Sequence, residues 1–300
     1  MKKLFNVVTA LAISFSMNAQ MDDNSHPSNN SAGTYSVAMG HNNTARGGYS
    51  TAMGRNNTAS GLYAPVRGES TTASGNFSTA MGSLSTASGS YSTAMGYNSE
   101  ASGNRSTAMG HSTTASGDYS TAMGYQTEAS GNHSTAMGYQ TEASELFSTA
   151  MGRETKANGF SSTAVGFYTT ADDYSSLAIG LYNKADETPN PNNFSYQNTA
   201  FVIGNGGFNS DGTYDGHLSN AFEVLFDGTT TIAGSMTATS FIGDGSQLTN
   251  LPSSGADSPF SYNSNEAGGI EVANYTTASG SRAFAVGNDN LASGSSSTAM

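Results

Sequence analysis

The sequence has no cysteine and no tryptophan, and it is poor in charged and in large aliphatic residues. The lack of cysteine excludes disulfide bonds and thiolate catalysis. Only ten lysine and arginine residues are present and the net charge is -12, which argues against the clustered basic surface that nucleic acid binding needs. Leu, Ile, Val and Phe supply 41 of the 300 residues, and a share below about 20% is more typical of disordered chains than of packed enzymes.

The N-terminus has the pattern of a secretory signal peptide. Lys2 and Lys3 precede an apolar run from Leu4 to Met17, and Ala19 is the small residue at the expected cleavage site. The run is short for a membrane-spanning helix, although an uncleaved anchor is the alternative. We therefore predict a signal peptide over residues 1–19, export of the mature protein, and a flexible N-terminal segment over residues 20–30.

A repeat with a constant step of fourteen residues dominates the chain from residue 31 to residue 186. The string Ser-Thr-Ala-Met-Gly recurs, and the alanine of a second string, Ala-Ser-Gly, keeps the same step. A repeat that keeps a constant step over this length predicts a solenoid rather than a disordered chain. We expect two strands and two tight turns in each unit, with glycine supplying positive φ at both turns. The turn glycines after methionine or its equivalent are Gly40, Gly54, Gly82, Gly96, Gly110, Gly124, Gly138, Gly152, Gly166 and Gly180.

The repeat predicts parallel strands stacked about 4.8 Å apart. Side chains alternate along a strand, so Ser and Ala share one face and Thr and Met share the other. We expect the small face to line a very narrow coil; the alternative is that methionine fills the coil and alanine faces outward. An exposed methionine ladder of this length exceeds what a soluble monomer tolerates, which predicts a homo-oligomer. The apolar ladder comprises Met53, Met81, Met95, Met109, Met123, Met137 and Met151.

The pattern S-T-A-M-G-x-x-x-T-A-S-G-x-Y/F resembles the head repeat of YadA-like trimeric autotransporter adhesins, which combines S-V-A-I-G with an A-x-G turn. Ser36–Gly40, Ser162–Gly166 and Ser176–Gly180 are the most similar segments. The resemblance covers residues 31–186 and resumes near residues 274–300. It implies an all-β fold, a left-handed parallel β-roll (a solenoid), of which three pack side by side as a homotrimer on a bacterial surface.

Three positions depart from the repeat. Arg67 stands in the methionine column and follows Pro65, which cannot donate a hydrogen bond to a neighbouring strand. Glu145 and Asp173 replace the second glycine of their units. Because glutamate tolerates the left-handed region poorly, we expect the coil around Glu145 to be altered or strained.

Residues 187–262 interrupt the repeats and predict a β-rich, fibre-like insertion. Residues 188–193 read T-P-N-P-N-N, which is typical of a loop, and residues 221–226 and 229–233 read as two strands around a tight Asp227-Gly228 turn. Residues 239–251 resemble a segment of trimeric tail-fibre-like and bacterial surface proteins. We predict a second block of head repeats over residues 263–300. It stops at Met300 before its unit is complete, so we expect a truncated product and a C-terminal anchor that is missing from it.

The sequence shows no pattern for catalysis, for a cofactor or for a metal. The five histidines lack H-x-H and H-E-x-x-H spacing, so we predict that the protein is not an enzyme. The candidate binding surface is the residue after Met-Gly, whose aromatic members are Tyr97, Tyr125, Tyr139 and Phe167; they alternate with His41, Arg55, His111 and Arg153. A ladder of this kind could contact a repetitive polymer. For the other aromatic ladder, the residue before Ser-Thr-Ala, we favour a structural role at coil edges or between subunits.

These observations predict a bacterial cell-surface adhesin head that binds multivalently as a trimeric rod. The expected partners are two further copies of the chain and an extracellular matrix, glycan or host-surface ligand, with no nucleic acid. The expected localisation is secreted or cell-surface, at the outer membrane if a C-terminal anchor follows. One alternative is a structural trimeric fibre or spacer with binding or chaperone activity beyond Met300. Another is an ice- or crystal-binding solenoid, which the threonine ladder suggests.

Overall fold

The structure is a computed structural model that describes residues 29–209 and 212–237 and, beyond them, residues 260–262, 270–272, 277–278, 284–285, 291–296 and 298–299. The predicted signal peptide, residues 20–28 and the fibre-like stretch 239–251 lie outside the described residues. The chain divides into two compact units, residues 1–236 and 237–300. All regular elements among the described residues are β-strands, which confirms the all-β prediction. That part of the chain contains no helix long and apolar enough to cross a membrane.

Each coil of the first unit contributes one long and one short strand, and the two strand types form two separate sheets. The long strands of the solenoid are Val37–His41, Thr51–Arg55, Pro65–Glu69, Thr79–Ser83, Thr93–Tyr97, Thr107–His111, Thr121–Tyr125, Thr135–Tyr139, Thr149–Arg153, Thr163–Phe167 and Leu177–Leu181. The short strands are Asn30–Ser31, Thr44–Ala45, Thr58–Ala59, Thr72–Ala73, Thr86–Ala87, Glu100–Ala101, Thr114–Ala115, Glu128–Ala129, Glu142–Ala143, Lys156–Ala157 and Thr170–Ala171.

Neighbouring coils pair in parallel, and each residue lies opposite its equivalent in the next repeat. Thr93 pairs with Thr107 and Met95 with Met109 along the long strands. The short strands keep the same offset. Every position of the repeat therefore forms a column along the solenoid, and the predicted parallel β-solenoid is confirmed.

The core consists of columns of small side chains. Ala94 on a long strand, Ala101 on a short strand and Ser92 before the long strand are all 0% exposed. Met95 points away from the core and is half-buried. The prediction that Ser and Ala line the coil is confirmed, and the alternative that methionine fills it is wrong. The largest apolar residues in this buried cluster are Val66 and, on the strand after the last coil, Val202, because the two sheets are too close for bulkier groups.

A further buried column is polar and bonds to the backbone. Asn57 Nδ2 donates to the carbonyl oxygens of Met53, at 2.8 Å, and Gly68, at 2.7 Å. Asn57 Oδ1 accepts hydrogen bonds from the amide and the hydroxyl of Thr71, at 3.0 and 2.5 Å. In later coils the same column carries serine at Ser85 and Ser99 and threonine from Thr113 to Thr169. Among the described residues, the hydroxyls without a hydrogen-bond partner in this column are those of Thr127, Thr141, Thr155 and Thr169.

The left-handed turn positions carry residues other than glycine. One is the residue before Ser-Thr-Ala, for example Tyr49 with φ 57°, and the other lies two residues after Met-Gly, for example Gln126 with φ 51°. The second glycine of the repeat was expected to provide positive φ, and this expectation is wrong, because Gly117 and its equivalents are not in that region. Glycine is required there for close approach instead: a Cβ on Gly117 would overlap the carbonyl oxygen of Gly131 in the next coil.

Glu145 shows how a coil accommodates a side chain at the second glycine position. Its φ is not positive, so the expected left-handed strain is absent at this described residue. In the flanking coils, the Gly131 amide donates to the Ala143 carbonyl and the Gly159 amide to the Ala171 carbonyl, both at 3.2 Å. The Glu145 amide makes no equivalent bond within the described part of the chain. The coil is altered by the loss of one hydrogen bond.

Three strands follow the last coil and extend the long-strand sheet. Thr199–Asn205 pairs in parallel with the last coil, and Asn220–Leu225 and Thr230–Ile232 then add antiparallel. The last two strands form the predicted hairpin. Asp173 fixes the intervening loop, because its buried carboxylate accepts hydrogen bonds from the amides of Asn190, at 2.8 Å, and Thr199, at 2.9 Å.

The second unit contains short strands with the same offset. Thr277 pairs in parallel with Leu291, and Phe284 with Thr298. The repeat register thus returns in this unit. Its strands are Phe260–Tyr262, Ile270–Val272, Thr277–Ala278, Phe284–Ala285, Leu291–Ala292 and Thr298–Ala299.

Candidate functional site

The residues that end the long strands form a continuous column, which we call the outer stack. The Tyr97 and His111 rings are 4.9 Å apart, His111 and Tyr125 are 4.8 Å apart, and Tyr125 and Tyr139 are 5.0 Å apart. The structure therefore brings the aromatic residues selected from the sequence into one stack, with the intervening residues His111 and Arg153 in contact with them. The outer stack comprises Tyr97, His111, Tyr125, Tyr139, Arg153 and Phe167.

Arg153 links Tyr139 to Phe167, the last member of the outer stack. Its guanidinium carbon lies 5.4 Å from the ring centre of Tyr139 and 5.0 Å from that of Phe167, which are cation–π distances. The sequence predicted the aromatic residues as the candidate surface and placed His111 and Arg153 at alternating positions of the same column. Arg153 and His111 share the same step, and that shared step is the signal that identifies them.

The outer stack presents ring edges rather than ring faces. The planes of adjacent rings differ by 24° for Tyr97 and His111 and by 5° for Tyr125 and Tyr139, so each face is covered by its neighbour. Tyr97 is nevertheless 48% exposed and Tyr139 41% exposed. The accessible surface is therefore a row of edges and phenol hydroxyls that repeats with the strand spacing of about 4.8 Å.

Charge along this column is locally balanced. Arg153 Nε lies 3.2 Å from Glu154 Oε1. Arg55 and Glu69, at earlier positions of the same column, form a second ion pair. A hydrogen bond to Glu154 also raises the pKa of the Tyr168 hydroxyl. The outer stack thus offers a nearly neutral surface of hydroxyl groups and ring edges.

The residues before Ser-Thr-Ala form a second column, the turn stack. The Tyr49 and Tyr63 rings are 4.7 Å apart with planes 7° apart. The guanidinium carbon of Arg105 lies between two rings, 5.5 Å from Tyr91 and 5.1 Å from Tyr119. All members have positive φ, and their contacts stabilise turns that bulky residues adopt rarely. The turn stack comprises Tyr35, Tyr49, Tyr63, Phe77, Tyr91, Arg105, Tyr119, His133 and Phe147.

The outward side of the long-strand sheet carries the apolar ladder beside a threonine column. Met81 is 39% exposed, and the remaining methionines of the ladder are half-buried. Val165, Ile179 and Ile203 continue the ladder in register. We call this surface the Thr/Met face. Within the first unit as described, it is covered by no other element of the chain.

The glycines after the ladder residues lie inside the long strands, between the Thr/Met face and the outer stack, rather than in the tight turns predicted for them. All ten predicted turn glycines have φ between 100° and 140°, a range that favours glycine. A Cβ on Gly124 would also overlap backbone atoms of Gly138. These glycines therefore meet two requirements, an unusual φ and close approach of the next coil.

The pKa shifts of titratable groups in the described structure arise from burial and hydrogen bonds within the fold. No group of three or more His, Cys, Asp or Glu residues there could hold a metal ion. Burial raises the pKa of Asp172, and a hydrogen bond from Asn158 partly opposes this shift. A hydrogen bond with His217, at 2.6 Å, lowers the pKa of Asp215. Each shift is explained by a local contact of the fold.

Comparison with known families identifies the repeat. The profile described as the YadA head domain repeat matches residues 31–57, 45–64, 68–99, 101–127, 129–155, 157–183 and 278–300. The matches include every coil that carries the outer stack, and they return in the second unit. No curated protein matches the chain.

Proposed function

The chain belongs to the family of YadA head domain repeats, an adhesin-type family, and on this basis we propose that it is the trimeric head of a bacterial cell-surface adhesin. The solenoid is the display rod, and multivalent contacts along it hold the cell to a host, matrix or other surface. The observation that carries the proposal is the family match over the same coils that hold the outer stack and the Thr/Met face. Export through the N-terminal signal and anchoring by a further segment belong to the same proposal.

The Thr/Met face is the proposed subunit interface. Its methionines form one column that is interrupted at Arg67. Soluble proteins rarely leave a contiguous apolar surface of this length uncovered. Methionine is flexible and polarisable, so three copies can interdigitate without a precise fit. Packing of this face in a homotrimer would also supply the large apolar core that the narrow coil lacks.

The outer stack is the proposed adhesive surface. Its groups repeat at the strand spacing, which suits a repetitive polymer such as a matrix protein or a glycan. The turn stack differs, because its members are the left-handed turn residues themselves. We assign the turn stack to the fold and the outer stack to the ligand.

Sedimentation equilibrium of the exported chain tests the subunit interface. We expect a trimer mass, and we expect Met109→Asp to dissociate it because three carboxylates would then lie on the Thr/Met face. Thr114→Asp is the matched control, since it adds the same charge to the outward side of the short-strand sheet. A wild-type monomer, or equal dissociation by both variants, contradicts the proposed interface.

Attachment of displaying cells to panels of matrix proteins and glycans tests the adhesive surface. The double variant Tyr125→Ser, Tyr139→Ser should reduce attachment at least about tenfold, because each small loss of affinity is multiplied over many copies. Tyr49→Ser, Tyr63→Ser removes two rings of the turn stack and is the matched control. Unchanged attachment of the first variant to every surface that the wild type binds would favour a spacer function.

A further inference from the structure

Arg67 is the one charged residue in the apolar ladder of the described solenoid. It pairs in register with Met53 on one side and with Met81 on the other. Its side chain is exposed in the single chain. Because methionines precede and follow it, Arg67 lies inside the ladder rather than at its end. Packing of the Thr/Met face would therefore enclose this guanidinium.

The coil that carries Arg67 keeps the architecture of its neighbours. Ala64 and Val66 remain buried, at 0% and 1% exposure, and Gly68 has the usual positive φ of 142°. Pro65 lacks an amide hydrogen and stands in the threonine column. The substitutions thus change the surface of one coil and leave its core closed. Arg67 is a local change of chemistry on an intact face.

The surrounding coils do not contain enough negative charge to neutralise Arg67. Residues 51–83 hold three charged residues, of which Arg55 and Glu69 already form an ion pair with each other. Even if Glu69 changed partner to Arg67, Arg55 would then be left over, so each copy retains one positive charge. An uncompensated charge taken out of water is strongly unfavourable.

We infer that the three Arg67 guanidinium groups of the trimer form a binding site for a small oxyanion or carboxylate. The inference rests on the proposed trimer and its Thr/Met interface. In a threefold assembly whose axis follows the rods, equivalent residues lie at the same height, so the three guanidinium groups share one level. Guanidinium groups bind carboxylate and phosphate through paired N–H donors. One anion at this level supplies the charge that the coils lack.

Thermal unfolding of the full-length trimer in sodium phosphate at fixed ionic strength tests this site. One anion bound per trimer should raise the Tm by about 2 °C for each hundred-fold increase in phosphate above its dissociation constant. The variant Arg67→Met restores the ladder residue, so it should be trimeric, insensitive to phosphate, and more stable than the wild type without phosphate. Arg46→Met is the matched control, because this exposed arginine follows a short strand on the other sheet.

The possible outcomes separate this inference from the proposed function. A phosphate response in the wild type and in Arg46→Met, but not in Arg67→Met, supports the anion site. A trimer whose Tm responds equally in all three proteins overturns the site and leaves the proposed function intact. A monomeric wild type overturns both. Isothermal titration of the trimer with phosphate should give about one site for three chains, and any other stoichiometry contradicts the shared site.

Discussion

Substitution of the two glycine types by alanine tests why each coil needs them. Gly124 has φ 128°, and an added Cβ would overlap backbone atoms of Gly138. A side chain in such a rarely adopted region costs about 1–3 kcal/mol. Forcing apart two closely packed coils costs about 1–3 kcal/mol more. We therefore expect Gly124→Ala to lower the free energy of unfolding by about 4 kcal/mol, the middle of the combined range.

The matched variant is Gly117→Ala, at the second glycine position. An added Cβ would overlap the Gly131 carbonyl, but the φ of Gly117 is not in the positive range. Glu145 shows that a coil can accept a side chain at this position by giving up one amide hydrogen bond. The expected cost is therefore about 1–1.5 kcal/mol, the value of one hydrogen bond.

Urea denaturation followed by far-ultraviolet circular dichroism measures both variants against the wild type. The slope of the transition should stay constant if the variants change stability alone. The decisive quantity is the difference between the two variants, since both add one methyl group and their positions are only seven residues apart. Equal destabilisation, or a larger effect of Gly117→Ala, would refute the distinction between a glycine needed for its φ and a glycine needed only for close approach.

Three further predictions concern the buried polar column and the charges of the solenoid. Thr141→Asn should raise the urea midpoint and stabilise the chain by about 1–2 kcal/mol, because an asparagine amide can bond to the backbone where the Thr141 hydroxyl has no partner in the described structure; a lower midpoint contradicts this. Lys156→Glu should destabilise by about 0.5–1 kcal/mol at low salt, since Lys156 Nζ lies 3.3 Å from Glu142 Oε2, and an effect that salt does not reduce contradicts an electrostatic cause. Asp172→Asn should raise the Tm near neutral pH, because burial raises the pKa of Asp172 in the folded state and its ionised form therefore opposes folding. This gain in Tm should shrink as the pH falls toward the ordinary aspartate pKa of about 3.9. A gain in Tm that grows on acidification contradicts the prediction.

The repeat and its alternation made most of the fold predictable. A constant step fixes the coil, and alternation of side chains assigned Ser and Ala to the core and Met95 to the outside, as observed. The left-handed turns could not be predicted, because residues such as Tyr49 and Gln126 adopt that conformation rarely on their own. Their conformation depends on stacking against the equivalent residue of the next coil, a contact that exists only once the coils are assembled.

The column that forms the candidate site was also predictable from the constant step of the repeat. Position in the repeat selected the column of Tyr125 and Tyr139, whereas the face-to-face geometry, which leaves only edges accessible, depends on rotamers that the sequence does not specify. The step also placed His111 and Arg153 in this column, but their contacts with the neighbouring rings are seen only in the structure. In such a column, the position of a residue in the repeat determines which residues it contacts, whatever its type.

The separation of inward and outward columns explains how one rod can hold a stable fold and a variable surface. Inward positions accept almost only Ala, Ser, Thr, Asn or Val, since a larger group would push the two sheets apart. Outward positions carry tyrosine, histidine, arginine, serine or glutamate on the same backbone. A change in the outer stack therefore alters the displayed chemistry at one height of the rod without disturbing the core beneath it. Arg67 also changes the outward chemistry without disturbing the core: it lies before Gly68, on the Thr/Met face, and the core of its coil remains closed.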